Sequence, residues 1–164
     1  IPNVQFLCGS ATRIKPLKKM NLIISNAMFQ WFDNLEKSID KIKFSLDKNG
    51  ILAFSTFGLD NYKEITSLTG LTLKYKTKEE IEAILKKLGF EVLYCEEFYE
   101  EVKFKTPLEL LAHMKNTGVN SLSEKTWTIT KVKEFCDSYS KKYPQTKLTY
   151  SPIIVIARAE SCIH

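Results

Sequence analysis

The sequence lacks the features that mark a membrane-spanning protein, a zinc protein or a repeat protein. No apolar run approaches the length of a membrane helix, so no segment is predicted to cross a bilayer. The four cysteines include no pair at metal-ligand spacing, and the two histidines complete no zinc pattern. Internal repeats and low-complexity segments are missing too, which excludes a solenoid.

The excess of positive charge is small. The net charge is +5, and the lysines and arginines are scattered along the chain rather than grouped. This bias permits an acidic partner, but no stretch interleaves basic and aromatic residues as nucleic-acid-binding motifs do. A nucleic-acid-binding domain is therefore the weakest interpretation. No signal peptide is recognisable, so we expect a cytoplasmic protein in which Cys8 and Cys95 are buried thiols.

Apolar runs and helical periodicities alternate in the first half of the chain, which predicts an α/β fold. The length of 164 residues and the hydrophobic content of 44% favour one globular domain. Strand patterns cover Val4–Cys8, Leu22–Ser25 and Ile51–Ser55, and the second is apolar enough for a strand buried on both faces. Between the second and third strands, Asp33 and Glu36 form a capping box for a helix that Lys48-Asn49-Gly50 ends. A strand, a helix and a strand at this spacing indicate a parallel βαβ unit.

The second half predicts further helices and two late strands. Capping boxes begin at Thr77 and Thr106, and Thr128 or Thr130 is suited to cap another helix. Leu108, Leu111 and Met114 form the predicted buried face of the helix after Thr106. Long strand patterns run from 90 to 104, with a bent or exposed end, and from 148 to 157. We therefore expect a helical insertion, residues 106–146, between the last two strands.

Polar and aromatic residues follow the strand Leu22–Ser25 directly, in the segment SNAMFQW. Open α/β sheets bind ligands outside the carboxyl ends of their strands, so Asn26, Gln30 and Trp31 are candidates for a ligand site. Simpler roles compete with this one. Asn26 is equally suited to satisfy the turn backbone, and Phe29 is better explained as an anchor of the helix. We expect His113 to lie on a helix surface.

These segments resemble the C-terminal part of the class I S-adenosylmethionine-dependent methyltransferases. The closer resemblance is to the malonyl-acyl-carrier-protein O-methyltransferase family of biotin synthesis, and it runs over essentially the whole chain. SNAMFQW and AFSTFG resemble the family's segments at its fourth and fifth strands, and LTYSPIIVIARA resembles its last strand. Other small-acid carboxyl methyltransferases, such as the trans-aconitate type, share the Asn and Gln-Trp motif. The insertion TPLELLAHMKNTG favours the malonyl family.

The resemblance implies a Rossmann-like sheet that is mostly parallel, with the last strand antiparallel and inserted beside its neighbours. It implies transfer of a methyl group from S-adenosylmethionine to the free carboxylate of malonyl-acyl carrier protein. The family's glycine-rich loop has no counterpart, because the chain contains no Gly-x-Gly. We therefore expect residues 1–164 to be one N-terminally truncated domain that is inactive alone. Such a chain would expose a sheet edge at Leu22–Ser25 and could form a homo-oligomer there.

The resemblance also assigns site residues. The turn that faces the adenine corresponds to Gly9, Ser10, Ala11 and Thr12, and the family usually has Asp where Ser10 stands. Asn26 and Ala27 match the backbone that meets the methionine part of the cofactor. Gln30, Trp31 and Phe57 match residues beside the methyl group and the acceptor. No acid, base or metal ligand is implied.

A non-catalytic reading stays open at this point. The missing glycine loop and Ser10 in place of Asp are also what an α/β binding domain would show if it had lost the cofactor site.

Overall fold

The computed structural model describes residues 4–14, 16, 18–117 and 127–160. Helices and strands alternate along them as expected for an α/β fold. Their bounds are β1 Met20–Ser25, a 3-10 helix Phe29–Trp31, α1 Leu35–Lys43, β2 Leu46–Phe57, α2 Lys63–Thr69, α3 Lys78–Lys87, β3 Phe90–Glu97, β4 Glu100–Lys103, α4 Pro107–Asn116, α5 Ile129–Lys142, β5 Lys147–Tyr150 and β6 Pro152–Ala159. No helix among the described residues is long and apolar enough to span a membrane.

The described residues group into two compact units. The first contains the residues up to Thr56, Lys78–Glu96 and the residues from Ile154 onward, and the second contains Phe57–Thr77 and Glu97–Ile153. Gly118, which the sequence predicts to stop the helix that begins after Thr106, and Cys162 lie outside the described residues.

The main sheet has four strands in the order β1-β2-β6-β3. Strands β1 and β2 are parallel, as the βαβ pattern predicts. At the two ends of β6 and β3, the Glu160 N–H donates to the Gly89 carbonyl and the Phe98 N–H donates to the Pro152 carbonyl. The start of β3 is therefore bonded to the end of β6, and the end of β3 is bonded to the start of β6, so β6 is antiparallel to β3. The last strand therefore lies between its neighbours in the reverse direction, which confirms the expected mixed sheet.

The core of the first unit follows from alternation along the inner strands. In β2 every second side chain from Leu52 is buried, and β6 alternates in the same way through Val155 and Ala157. Helices α1 and α3 contribute Ile39, Ile42, Ile81 and Leu85 to this core.

Two predictions near the start of the chain are wrong. Residues 4–8 form no strand, Phe6 is 91% exposed, and Cys8 is an exposed free thiol rather than a buried one. An apolar run becomes a strand only where a neighbouring strand pairs with it. Among the described strands, β1 has β2 as its single neighbour, and no strand pairs with residues 4–8.

Strand β1 is an exposed edge, which contradicts the prediction of burial on both faces. Leu22 is 51% exposed and Ile24 is 72% exposed, whereas Ile23 is half-buried. Successive side chains of a strand point to opposite faces, so the face that carries Leu22 and Ile24 is the exposed one. Cys95, by contrast, is buried as expected.

The boundaries of α1 and β2 also differ from the prediction. Asn34 caps α1 by accepting the Lys37 N–H at 2.9 Å, so the cap lies one residue after Asp33. Residues 48–50 do not end the helix, because they lie within β2. A Cβ on Gly50 would come within 2.9 Å of the Met20 carbonyl oxygen, so glycine is needed where β2 passes β1.

In the second unit, β4 and β5 form a separate antiparallel pair, with Glu100 opposite Tyr150 and Lys103 opposite Lys147. The predicted strand from 90 to 104 is therefore two strands, and the predicted last strand is also two. The two breaks lie side by side, because the Phe98 N–H after β3 is bonded to the Pro152 carbonyl at the start of β6. The Ser151 N–H is bonded to the Asn61 side chain at 3.2 Å, and Pro152 has no N–H to give.

Helices α2, α4 and α5 surround the core of this unit. The core consists of Tyr62, Ile65, Leu110, Met114, Phe135, Tyr139 and Leu148. Thr106 caps α4 by accepting the Glu109 N–H at 3.2 Å, which confirms the predicted box. The buried face is Leu110 and Met114, whereas Leu108 is exposed, because the helix begins at Pro107 and turns Leu108 outward.

Candidate functional site

The carboxyl ends of β1 and β2 are joined by side-chain hydrogen bonds. Their parallel register sets Ser25 beside Phe54, so the next residues, Asn26 and Ser55, also lie side by side. The Ser55 hydroxyl donates to Asn26 Oδ1 at 2.5 Å and accepts the Ala27 N–H at 2.9 Å. Ser55 therefore fixes the backbone just after β1. Sequence reasoning missed this role, although the register of two parallel strands could have indicated it.

Ala27 adopts a left-handed conformation, with φ of 49°. A residue with a Cβ avoids this region unless its surroundings hold it there, and such residues concentrate at functional sites. Here Ser55 holds the N–H of Ala27, and the Gln30 side-chain NH₂ donates to its carbonyl at 2.5 Å. Asn26, Ala27 and Gln30, all predicted from the sequence, are thus brought together.

The same bond leaves one polar atom of Gln30 without a partner. Its Oε1 is buried and accepts no hydrogen bond within the part of the chain that the structure describes. A buried, unpaired acceptor costs about 1–3 kcal/mol, so an atom of this kind calls for a ligand, a water or another explanation. The atom therefore marks a place where a hydrogen-bond donor is needed.

The two aromatic residues beside Gln30 have different roles. Phe29 is 2% exposed and stacks on Phe54, with ring centroids 4.1 Å apart. It is the hydrophobic anchor, as expected. Trp31 is 43% exposed, so it is not an anchor and its ring is open to contact with a ligand.

The Gly9–Thr12 segment forms a small exposed turn. The Ser10 and Thr12 hydroxyls are 3.1 Å apart, and the Ser10 carbonyl accepts the N–H groups of Arg13 and Ile14 at 2.8 and 3.0 Å. These hydrogen bonds stay within residues 10–14. The association of this turn with Asn26 and Gln30 therefore rests on the resemblance.

Phe57 belongs to the second unit and has neighbours that the sequence did not reveal. It is half-buried, and its ring centroid is 6.4 Å from that of Tyr150. A Cβ on Gly58 would overlap Glu97 Oε1, so a larger residue after Phe57 would require the Glu97 side chain to move. His113 Nε2 lies 2.7 Å from the Tyr150 hydroxyl, so His113 is half-buried and paired rather than a simple surface residue. Sequence gave no signal for this pairing because 37 positions separate the two residues.

Comparison with curated proteins finds relatives over almost the whole chain. The malonyl-[acyl-carrier protein] O-methyltransferase of Bacteroides thetaiotaomicron is 40% identical over 94% of this chain and 64% of its own length. The enzyme of the same name from Haemophilus influenzae is 38% identical over 93% of this chain and 60% of its own length. The chain thus spans a little under two thirds of these relatives. No protein-family model matches it.

Solved structures share the fold at low sequence identity. A methyltransferase of Bacillus halodurans superposes with a TM-score of 0.67 at 15% identity, covering 96% of this chain and 78% of that protein. A phosphoethanolamine N-methyltransferase of Haemonchus contortus, solved with S-adenosylhomocysteine, gives a TM-score of 0.50 at 16% identity and covers 93% of this chain and 36% of that protein. The fold is therefore that of the Rossmann-like class I methyltransferases, as the resemblance implied.

Proposed function

We propose that this chain, which is homologous to the malonyl-[acyl-carrier protein] O-methyltransferases over 94% of its length, is the C-terminal part of such an enzyme. The complete protein would use S-adenosylmethionine to methylate the free carboxylate of malonyl-acyl carrier protein in biotin synthesis. The observation that carries the proposal is the 40% identity to the Bacteroides enzyme. The polar arrangement at the ends of β1 and β2 supports it, because ligands of open α/β sheets bind there.

The residues at the end of β1 fit S-adenosylmethionine. Gln30 Oε1 is a buried acceptor without a described partner, and the ammonium group of the methionine portion is a donor that would satisfy it. Asn26 and Ala27 would hold the same portion, with their backbone fixed by Ser55. Gly9, Ser10, Ala11 and Thr12 would face the adenine, where Ser10 offers a neutral hydroxyl in place of the usual carboxylate.

The acceptor needs no general base. A carboxylate with an ordinary pKa of roughly 4 is already ionised at neutral pH. S-adenosylmethionine supplies a methyl group on a sulfonium sulfur, and the acceptor loses no proton in taking it. The task of the protein is to align the reactants and to exclude water. Trp31 would supply an apolar wall for this task, and Gln30 a neutral polar contact.

The chain taken alone should bind S-adenosylmethionine weakly or not at all. It contains no Gly-x-Gly, and in related folds the glycine loop lets the backbone approach the cofactor closely. Calorimetric titration of these 164 residues checks this expectation. A dissociation constant in the low micromolar range would contradict it.

The partner would be an acyl carrier protein, which is acidic. Lys103, Lys105 and Lys115 are exposed in the second unit, on β4, before α4 and within α4. Complementary charge of this kind mainly accelerates encounter and weakens with salt. The exposed thiol of Cys8 and the free thiols of Cys95 and Cys136 suit a reducing cytoplasm, where we place the protein.

The edge of β1 offers a route to self-association of this chain. Leu22 and Ile24 present exposed apolar side chains on a strand that pairs on one side only among the described strands. We expect the chain to form a dimer through this edge, and Ile24→Lys to make it monomeric. Light scattering that shows a monomeric unmodified chain at high concentration would contradict this.

Methylation by the complete protein tests the proposal. Purified protein is incubated with S-adenosylmethionine and, in parallel, with malonyl-acyl carrier protein, a small malonyl thioester and trans-aconitate. Mass spectrometry should detect a methyl ester on the malonyl substrates. Methylation of trans-aconitate alone would favour the small-acid alternative. Cofactor binding without any methylation, or no cofactor binding, would favour the non-catalytic domain that Ser10 suggests.

A further inference from the structure

Tyr150, at the end of β5, contacts both His113 and Phe57, and all three residues belong to the second unit. Its hydroxyl is 2.7 Å from His113 Nε2, and its ring centroid is 6.4 Å from that of Phe57. Tyr62 meets the same ring edge-on, with centroids 5.0 Å apart. Two phenols and an imidazole therefore gather beside a residue that the resemblance assigns to the acceptor pocket.

The backbone of Tyr62 is held in an uncommon conformation to reach this position. Its φ is 56° and its ψ is 35°, which is the left-handed region that bulky residues avoid. Its N–H donates to the Thr149 carbonyl at 2.8 Å, and its side chain is 5% exposed. Burial, followed by the neighbouring Tyr150 hydroxyl, raises the pKa of Tyr62 above its usual value. Tyr62 therefore keeps its proton and can donate it to Tyr150.

The Tyr150 hydroxyl has one proton, so it can donate one hydrogen bond, either to His113 or to a ligand. With a bare Nε2 on His113, Tyr150 must donate its single proton to the imidazole. With a proton on Nε2, His113 donates and the O–H of Tyr150 is free to point at a ligand. A carboxylate ligand only accepts hydrogen bonds, so it would favour the second arrangement. Tyr150, His113 and Phe57 are each half-buried, so none of them is enclosed in the core.

Resting on the proposed function, we propose that the Tyr150 hydroxyl, oriented by His113, is the hydrogen-bond donor that positions the carboxylate group of the acceptor beside Phe57. Tyr150 is then a substrate-binding residue, and His113 is a positioning residue. A neutral phenol suits this task, because it orients the carboxylate without the stronger charge neutralisation that a lysine would impose.

Variants of the complete protein test the assignment through steady-state kinetics. Tyr150→Phe removes the hydroxyl and keeps the ring against Phe57 and Tyr62. It should raise KM for a malonyl thioester about tenfold or more, because a hydrogen bond to a charged group is lost. The affinity for S-adenosylhomocysteine should stay unchanged. The matched control is Tyr143→Phe, which removes the hydroxyl that lies 2.6 Å from Ser67 Oγ and should change neither quantity.

Substitution of His113 separates orientation from packing. His113→Leu should raise KM as Tyr150→Phe does, and His113→Gln should restore part of it by offering a side-chain N–H near the Nε2 position. Equal KM values for the unmodified protein and Tyr150→Phe, with methylation intact, would overturn the inference and leave the proposed function standing.

A direct binding measurement tests the carboxylate-binding role of Tyr150 and His113 independently of the proposed methylation activity. Malonate is titrated into protein with 15N-labelled histidine, and the ring nitrogens of His113 are followed by NMR. They should shift in the unmodified protein and not in Tyr150→Phe. If the protein methylates no malonyl thioester, the proposed function fails, and the His113 shift still decides whether the pair binds a carboxylate. No shift in the unmodified protein overturns the inference.

Discussion

The two units differ in how their buried polar groups are satisfied. In the second unit, Glu64, Asn61 and Ser151 are each at most 1% exposed, and each has hydrogen-bond partners. In the first unit, Gln30 Oε1 is buried without a described partner, beside the left-handed Ala27. A completed buried network specifies structure, whereas an incomplete one is costly until a ligand completes it. The first unit therefore carries the feature expected of a cofactor site, whereas the completed network of Glu64, Asn61 and Ser151 in the second unit is structural.

The largest effect should come from breaking the completed network. Glu64 accepts the Thr149 N–H at 3.0 Å and the Thr149 hydroxyl at 2.6 Å. Glu64→Leu leaves both buried donors unpaired and should lower the free energy of unfolding by about 2–4 kcal/mol. Urea denaturation measures the loss. Glu134→Leu, at an exposed position of α5, should change stability by less than about 0.5 kcal/mol. If Glu64→Leu and Glu134→Leu lowered the stability equally, the buried Glu64 network would contribute no more than an exposed residue.

A smaller effect on stability, but a clear effect on binding, is expected in the first unit. Ser55→Ala removes both hydrogen bonds that fix Asn26 and Ala27. In the complete protein it should weaken S-adenosylhomocysteine binding about tenfold, which is about 1.4 kcal/mol. The control is Ser67→Ala, whose hydroxyl bonds to the Glu64 carbonyl in the second unit. If Ser67→Ala weakens binding as much as Ser55→Ala, the assignment of the strand ends loses its support.

Charge reversal on the second unit should alter the rate with one substrate only. Lys103→Glu with Lys105→Glu should slow methylation of malonyl-acyl carrier protein several-fold at low salt, and less at high salt. Turnover of a small malonyl thioester should stay nearly unchanged. The double variant Lys133→Glu with Lys141→Glu, at exposed positions of α5, is the control. Equal loss on both substrates would point to a damaged fold instead of a lost docking surface.

The smallest expected effect is alkaline destabilisation of the second unit. Burial raises the pKa of Tyr139 to about 12. Its unfolded value is about 10, so the folded state favours the neutral phenol. This stabilisation is fully present below pH 10 and is lost as the pH rises towards 12. The loss should reach about 1 kcal/mol near pH 10.5. Denaturation at several pH values checks this, and Tyr139→Phe should reduce the dependence, leaving the contribution of Tyr62, whose pKa burial also raises. An unchanged slope in that variant would contradict it.

The part of the site that sequence could predict is the part set by local pattern. An apolar strand followed by Asn26, Gln30 and Trp31 indicated a strand-end site, and Phe29 was correctly expected to be an anchor. The left-handed backbone of Ala27 and the unpaired oxygen of Gln30 were not predictable. The backbone of Ala27 is held by Ser55, which lies on another strand, and the Gln30 side chain is bonded to that backbone. The pairing of His113 with Tyr150 is equally non-local.

The prediction of the fold was limited in the same way, to features that are set by neighbouring residues. Helix caps such as Thr106 depend on a few neighbouring residues and were found, whereas strand pairing depends on distant ones. Residues 4–8 have the pattern of a strand without a described partner. The break at Ser151 was indicated only by Pro152, since the competing bond to Asn61 is made across 90 positions of the chain.

The most direct test of the cofactor site is a calorimetric titration of S-adenosylhomocysteine into the complete protein and its Gln30→Leu variant. The unpaired oxygen of Gln30 should be completed by the ligand, so Gln30→Leu should weaken binding about tenfold. Asn34→Ala removes the α1 cap in the same unit and should cost about 1 kcal/mol of stability without changing affinity. Equal affinities for the unmodified protein and Gln30→Leu, or no binding by the complete protein, would contradict the account.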